Sequence, residues 1–468
     1  MLTAINFIKL ITLIVLGFLF LIGQGWLIFG PLFHGSLISK KRLIPYFHEL
    51  AILMISGLII NYGIVLLVQS LKTSIIISSV LAFIGIYCYL ISLKKTIKRS
   101  DFTSNFFIKL FGIILAGSLF IGPIIFQPLI DWDARSIWFL HAKMIYSAGS
   151  FNQTIGWLHP SIYFSHVDYP NLMPTLAAQI PFLMGFWNEY LPKLSLLFLL
   201  VPAITLLFTF YKRSFSFLVL ITLIPFSFAT RLWNGYMDGY LILYFSLSML
   251  LLGRYYKASK PFDLISSVFC LIFLLYLKNE GVLAVISGSI ALFFTLVIKK
   301  NKFSIRTMVK ENYPLIIGLV LLLLPFGIWN LYKYQWGITN DLALGSSQTF
   351  LQFLNRINDG SYKTIIKSVY RQMHNGIMLV SLLSFTSIAL KKKIPSEILP
   401  IIIAAGVYCL GIMTIYMVTP WELNWHLLTS VDRTVLSVTA CLYVICFYLV
   451  SNLEKEEVKI SQQFIEAP

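Results

Sequence analysis

Long apolar runs recur along almost the whole sequence, and they restrict this chain to few kinds of fold. A helix needs about 20 apolar residues to cross a hydrocarbon core of roughly 30 Å. Soluble domains are about 25% charged, whereas this chain is 58% hydrophobic and only 12% charged. We therefore predict an all-α polytopic membrane protein with about thirteen transmembrane helices. The predicted spans are 5–29, 48–70, 74–93, 106–128, 190–211, 215–233, 239–254, 264–278, 281–298, 313–332, 375–390, 397–418 and 434–451.

The positions of lysine and arginine predict the orientation. A net charge of +17 would suggest a nucleic-acid partner for a soluble protein. In membrane proteins, however, short cytoplasmic loops are enriched in Lys and Arg, so no nucleic-acid partner is expected here. Alternating spans put every cation cluster on the cytoplasmic side if residues 171–187, which contain Pro174 and Pro181, form a re-entrant or interfacial helix instead of crossing. The clusters lie at 40–42, 94–99, 212–213, 254–260, 299–310 and 391–393.

These spans divide the chain into three predicted parts. Residues 1–100 form an N-terminal three-helix membrane segment, and residues 101–452 form a transmembrane core. Two long loops of that core, 129–170 and 333–374, lie outside, and residues 453–468 form a cytoplasmic tail. The five cysteines lie in apolar stretches without metal-like spacing, so the sequence implies neither a disulfide framework nor a zinc site.

The few charged residues on the predicted outer side are the candidate functional residues. Asp131 and Asp133 follow the span that ends near residue 128 and lie close to where a lipid-borne reactive group would be. A carboxylate there could act as a general base or help to hold a divalent cation, Mg²⁺ or Mn²⁺; the alternative is a pair of interfacial polar residues at a helix end. The remaining candidates for binding substrate or phosphate are His166, Asp168, Arg231, Asp238, Lys278, Glu280, His426 and Arg433.

Arg433 is the best candidate for an anionic headgroup, because a guanidinium group holds phosphate through two parallel hydrogen bonds. Asp432 could equally pair with it as a plain salt bridge. Lys278 could bind phosphate or be neutralised by Glu280, two residues away. Asp238 lies in a short turn close to hydrocarbon, where an ionisable side chain is a functional candidate by default.

The layout and motifs resemble the GT-C class of integral-membrane glycosyltransferases, which use polyprenyl-phosphate-linked sugars. The run Asp131-Trp132-Asp133-Ala134 is similar to the aspartate, aromatic, acid, alanine pattern of the dolichyl-phosphoglucose-dependent glucosyltransferases of N-glycan assembly. The resemblance implies that Asp131 is the general base, that Asp133 is the second acidic position, and that Arg433 contacts lipid phosphate. It covers roughly residues 106–450, and three additional spans precede the acidic loop.

The resemblance implies an inverting transferase that moves a sugar from a polyprenyl-phosphate donor to a hydroxyl of a glycan or lipid-linked acceptor. The expected location is the outer face of a bacterial plasma membrane, with membrane lipids as further partners. A polysaccharide polymerase or ligase using a diphosphate-lipid donor is one alternative, and it would depend on Arg356, Arg371 and His374. A lipid-linked sugar transporter or flippase is the other, and it predicts paired charges at mid-depth in the spans.

Overall fold

The computed structural model describes residues 4–35, 46–96, 103–152, 154–298, 305–340 and 347–465, and the regular elements in these ranges are helices. The predicted all-α class is confirmed for this part of the chain. The cation clusters at 40–42 and 98–99 and the first residues of the 299–310 cluster lie outside the described residues, as does the end of the predicted tail.

The α-helices are α1 (Ala4–Gly35), α2 (Tyr46–Val68), α3 (Leu71–Thr96), α4 (Ser104–Phe126), α5 (Phe139–Ala148), α6 (Thr154–Trp157), α7 (Leu172–Met184), α8 (Ser195–Leu207), α9 (Ser214–Ile221), α10 (Ala229–Trp233), α11 (Met237–Ala258), α12 (Pro261–Leu274), α13 (Glu280–Ile298), α14 (Ile305–Trp336), α15 (Ser347–Asn358), α16 (Ser361–Ala389), α17 (Leu399–Val418), α18 (Leu423–Thr434) and α19 (Leu436–Ile465).

Nine helical segments within the described ranges are long and apolar enough to cross a membrane. Each coincides with a predicted span, so the chain is an α-helical integral membrane protein by length and composition. The segments are 6–30, 46–68, 71–94, 104–126, 192–210, 280–298, 316–336, 396–418 and 423–454.

The other four predicted spans are not confirmed as crossings. The 215–233 stretch is divided into α9, a π-helical turn at Thr222–Phe226 and α10, with Pro225 inside the turn. The 264–278 stretch forms only the 14-residue α12. The 239–254 stretch lies in α11, which is 22 residues long and largely buried by other helices, and 375–390 is the second half of α16.

Both predicted outer loops are largely helical, which corrects their description as loops. The first contains a π-helical turn at Ala134–Trp138, α5 and α6, and the second contains α15 and the first half of α16. Helix α15 has apolar residues on one side only, so a search for continuous apolar runs misses it. The tail is also helical at its start, because α19 continues to Ile465.

The helix α7 occupies the stretch that was predicted not to cross. It has 13 residues, and a helix of that length extends about 20 Å, less than the hydrocarbon thickness. Most of its side chains are buried against neighbouring helices, and it ends at Gly185 in the left-handed conformation.

Helices α2 and α8 lie at the centre of the bundle and are mostly buried, while α1, α3, α4, α13 and α14 expose apolar side chains on their outer faces. Such a surface is stable in lipid, since lipid tails are as apolar as the side chains. The three N-terminal helices pack on one another, and α2 joins them to α8 and α14. The helices α1, α2 and α3 of the predicted N-terminal segment are therefore packed against the rest of the bundle.

Close helix contacts hold the N-terminal segment together. A methyl group built on Gly57 of α2 would overlap the backbone of Leu21 in α1, and one on Gly85 of α3 would overlap the backbone of Gly23. Small residues at helix interfaces allow backbones to approach closely where lipid supplies no hydrophobic driving force.

Replacing Gly57 or Gly85 with alanine should lower the melting temperature of the detergent-solubilised protein, because overpacking costs about 1–3 kcal/mol. Gly117 of α4 provides the matched control, since a methyl group there meets no described atom within 4 Å. Melting followed by fluorescence would compare the three variants. Equal melting temperatures would contradict the close packing.

Candidate active site

Two adjoining cavities open at the end of the bundle that carries the predicted outer residues. The first, here the α14 cavity, has a volume of about 540 Å³ and lies between α13, α14 and α17. The second, here the Asp131 cavity, has a volume of about 930 Å³ and lies between the end of α4, α10 and α18. The residues that line both cavities are Asp133, His166, Trp425, Thr429 and Arg433.

All the candidate residues except Asp238 line one of these cavities or both. Segments that are far apart in the sequence therefore meet at one place, as the sequence interpretation required. Asp238 lies behind Lys278, with which it forms an ion pair. The α14 cavity contains Asp168, Lys278, Glu280 and His426, the Asp131 cavity contains Asp131 and Arg231, and both contain Asp133, His166 and Arg433.

A buried lysine fixes the position of the chain where α4 ends. Lys193 is fully buried, and its Nζ donates to the carbonyl oxygen of Gln127 at 2.5 Å. A cation at a helix C-terminus stabilises the last carbonyl groups, which have no partner within the helix. This contact fixes the chain direction just before Asp131.

The two aspartates of the acidic motif have different surroundings. The Asp133 carboxylate is bonded to the Arg433 guanidinium, which also lies over the Tyr236 ring. The partly buried Asp131 carboxylate has no hydrogen-bond or ion-pair partner among the described residues. A π-helical turn follows directly at Ala134, a geometry that is frequent at functional sites. Asp131 is therefore the carboxylate that is available to a ligand.

Each predicted phosphate-binding cation already contacts a carboxylate. Arg231 pairs with Asp432 at 3.1 Å, so Asp432 does not neutralise Arg433 as the sequence had left open. Lys278 is almost completely buried, and its Nζ lies 3.0 Å from oxygens of both Asp238 and Glu280.

Asp168 is fixed by two amide groups. It accepts hydrogen bonds from the side chains of Asn279 at 2.5 Å and Asn340 at 2.9 Å. The neighbouring Tyr169 stacks on His166, with ring centroids 5.0 Å apart. Burial, and then the charge of the nearby Glu280, raise the pKa of Tyr169 well above its ordinary value. Tyr169 therefore keeps its hydroxyl proton near neutral pH.

Several lining residues were not predicted. Asn330, which the sequence places at the edge of a span, and Lys333, which it places at the start of a loop, both belong to the end of α14. Asn330 and Lys333 follow Phe326 at helical spacing, and this spacing is the signal that could have identified them. Other unpredicted residues lining the α14 cavity are Tyr169, Asn279, Asn340, Tyr416, Trp421 and Trp425.

The residues that the polymerase alternative requires lie outside both cavities. Arg356 is buried, and its guanidinium donates to the carbonyl oxygens of Tyr416 and Trp421. Arg371 is exposed, and the His374 ring bonds the Tyr370 hydroxyl at 3.3 Å. Through these contacts Arg356 of α15 binds the end of α17 and the segment just before α18, which is a structural role.

The predicted divalent cation stays a prediction. In the part of the chain that the structure describes, no three His, Cys, Asp or Glu side chains are grouped so that they could hold a metal ion. Asp131 and Asp133 would have to supply the ligands, and Arg433 already neutralises Asp133.

Single substitution of Asp133 by Asn or of Arg433 by Gln should lower the melting temperature, because each leaves an unpaired charge in a mostly buried site. The double variant should be less destabilised than the sum of the two, by about 1–3 kcal/mol. Strict additivity in a double-mutant cycle would show that the ion pair contributes nothing.

His141 gives the site a pH-dependent stability. Its buried ring contacts the side chains of Asn171 at 3.2 Å and Ser165 at 3.0 Å, and burial lowers its pKa to about 4. The unfolded chain therefore binds the proton first, so this stabilisation is complete above about pH 6.5 and is lost as the pH falls towards 4.

Between pH 7 and pH 5, the melting temperature of the wild-type protein should fall more than that of His141→Gln. The variant is the control for all other titrating groups, since only the imidazole is removed. Parallel pH profiles for the two proteins would exclude His141 as the cause.

Comparison with known proteins adds no family assignment. No protein-family model matches the sequence, and neither the curated proteins nor the solved structures contain a significant match. The function must therefore be argued from the two cavities and their residues.

Proposed function

We propose that the chain is an inverting membrane glycosyltransferase that moves a sugar from a polyprenyl-phosphate donor to an acceptor hydroxyl, with Asp131 as the general base. The observation that carries this proposal is the free Asp131 carboxylate in a cavity that shares Asp133 and Arg433 with a second cavity. The proposed topology has thirteen crossings, with α7 re-entrant. Both cavities then face the outside of a bacterial plasma membrane.

The paired cavities suit an inverting displacement. In such a reaction the acceptor oxygen attacks the anomeric carbon from one side while the phosphate leaves from the other. The acceptor would occupy the Asp131 cavity, and the lipid phosphate would occupy the α14 cavity. The sugar would lie at the boundary of the two cavities, near Asp133 and His166. Asp131 takes the proton of the acceptor hydroxyl as the new carbon–oxygen bond forms, and the old bonding pair leaves with the phosphate. An ordinary carboxylate is a weak base at neutral pH, so alignment supplies much of the rate.

The α14 cavity also offers acceptors for sugar hydroxyls. One carboxylate oxygen of Glu280 contacts Lys278, while the other, Oε2, is buried without a hydrogen-bond partner in the described structure. A buried acceptor without a partner is costly unless a ligand or water satisfies it. The exposed aromatic rings of Trp421 and Trp425 line the same cavity.

The test is transfer by purified protein in detergent. Polyprenyl phosphate carrying a labelled hexose is mixed with a glycan and lipid extract of the native membrane, and label leaving the donor for the acceptor fraction is measured. Because general-base catalysis contributes about 10²–10⁴-fold, Asp131→Asn should reduce transfer by at least about 100-fold. The matched control is Asp359→Asn, since Asp359 lies in the turn before α16, outside both cavities.

Normal transfer by Asp131→Asn would refute the general-base assignment. Transfer in detergent, where no membrane separates two compartments, would exclude transport as the sole activity. Loss of transfer after treatment with EDTA, restored by Mg²⁺ or Mn²⁺, would show the predicted cation requirement. If Arg371 and His374 proved essential while Asp131 did not, the polymerase or ligase alternative would replace this proposal.

A further inference from the structure

One cation in the two cavities differs from the others. Of the Lys and Arg side chains that line the cavities, Lys333 alone has no carboxylate within ion-pair distance in the described ranges. Lys333 is half-buried and lines the α14 cavity. Asp168 lies near enough to influence Lys333 electrostatically, and it accepts hydrogen bonds from Asn279 and Asn340. Lys333 can therefore bind an anion without breaking an existing salt bridge.

Arg433 is less suited to that task. For its guanidinium to hold phosphate, it would have to release Asp133, whose side chain is only 13% exposed. Removing one partner of a buried ion pair leaves an uncompensated charge and is strongly unfavourable. The geometry makes Arg433 a positioning residue for Asp133 at the boundary of the two cavities.

Helix α14 arranges polar and apolar groups in order along one face of the cavity. Phe326, Asn330 and Lys333 follow at helical spacings of four and three residues, and all three line the α14 cavity. Residues at these spacings lie on one face of a helix. Phe326 and Lys333 are seven positions apart, which corresponds to about 10 Å along the axis, so the cation lies at one end of an apolar surface.

The walls opposite this face are also apolar. Val282 and Ile286 of α13, together with Ile412 and Ile415 of α17, line the same cavity. These helices belong to the segments that are long and apolar enough to cross a membrane. The cavity thus combines an apolar groove at membrane depth with one uncommitted cation at its charged end, which matches an amphipathic lipid with an anionic headgroup.

We propose that Lys333 binds the phosphate group of a polyprenyl-phosphate lipid whose chain lies in the groove between α13, α14 and α17. This inference rests on the proposed function for its assignment of the donor side, but it concerns binding and is measured without transfer. A lysine suits this task because its flexible point charge can follow the phosphate. As the sugar–phosphate bond breaks, the phosphate gains negative charge, and a nearby cation stabilises that change.

The test measures binding of polyprenyl monophosphate to the purified full-length protein in detergent, followed by quenching of tryptophan fluorescence. Lys333→Gln should weaken binding at least tenfold, whereas Lys333→Arg, which keeps the charge, should stay within a few-fold of wild type. Binding of the uncharged polyprenol should be equal for wild type and Lys333→Gln. The matched control is Lys143→Gln, because Lys143 is exposed near the same end of the bundle and lines neither cavity.

Inorganic phosphate distinguishes a lipid site from a plain anion site. If wild type binds inorganic phosphate as tightly as polyprenyl phosphate, the groove contributes nothing and the lipid assignment is wrong. Unchanged lipid binding by a folded Lys333→Gln protein, or loss of binding in Arg433→Gln alone, would overturn the assignment of Lys333. Lipid binding through Lys333 in a protein that transfers no sugar would instead leave this inference intact and refute the proposed reaction.

Discussion

The ion pair between Asp133 and Arg433 joins two parts of the chain that are 300 residues apart. It connects the segment after α4 to α18, and both residues line both cavities. The other ion pairs of the site, including Arg231 with Asp432 and Lys278 with Asp238, surround this contact. The ion pair therefore lies in the wall that the two cavities share, together with His166, Trp425 and Thr429.

The sequence predicted the helical class and the location of nine apolar segments, because length and hydropathy alone determine whether a helix can cross a bilayer. It failed where a helix is stabilised by neighbouring helices instead. Helix α15 is amphipathic, and α12 is short yet lies within the bundle. Helix α15 leaves no long apolar run to detect, whereas the apolar run at 264–278 predicted a span and forms only the short α12.

The candidate site, like the fold, could be predicted from the sequence only in part. Selecting charges on the predicted outer side found residues that the fold brings together, because alternating spans place the outer segments at one end of the bundle. Which charge pairs with which could not be predicted, since pairing depends on contacts between distant segments. Sequence proximity suggested Asp432 as the partner of Arg433, but the structure gives Asp432 to Arg231. Lys333 was missed because its proposed role depends on its having no carboxylate within ion-pair distance in the described ranges, and a sequence does not show this.

The shared wall between the cavities has a kinetic consequence for the proposed reaction. Since His166, Trp425 and Thr429 line both cavities, a molecule bound in one cavity contacts the same side chains that shape the other. Donor and acceptor would then have to be bound together before any bond changes. The order in which they bind would affect the rate, and initial-rate plots against the two concentrations would give intersecting lines. In the proposed reaction, the acceptor in the Asp131 cavity would displace water from the approach to the sugar.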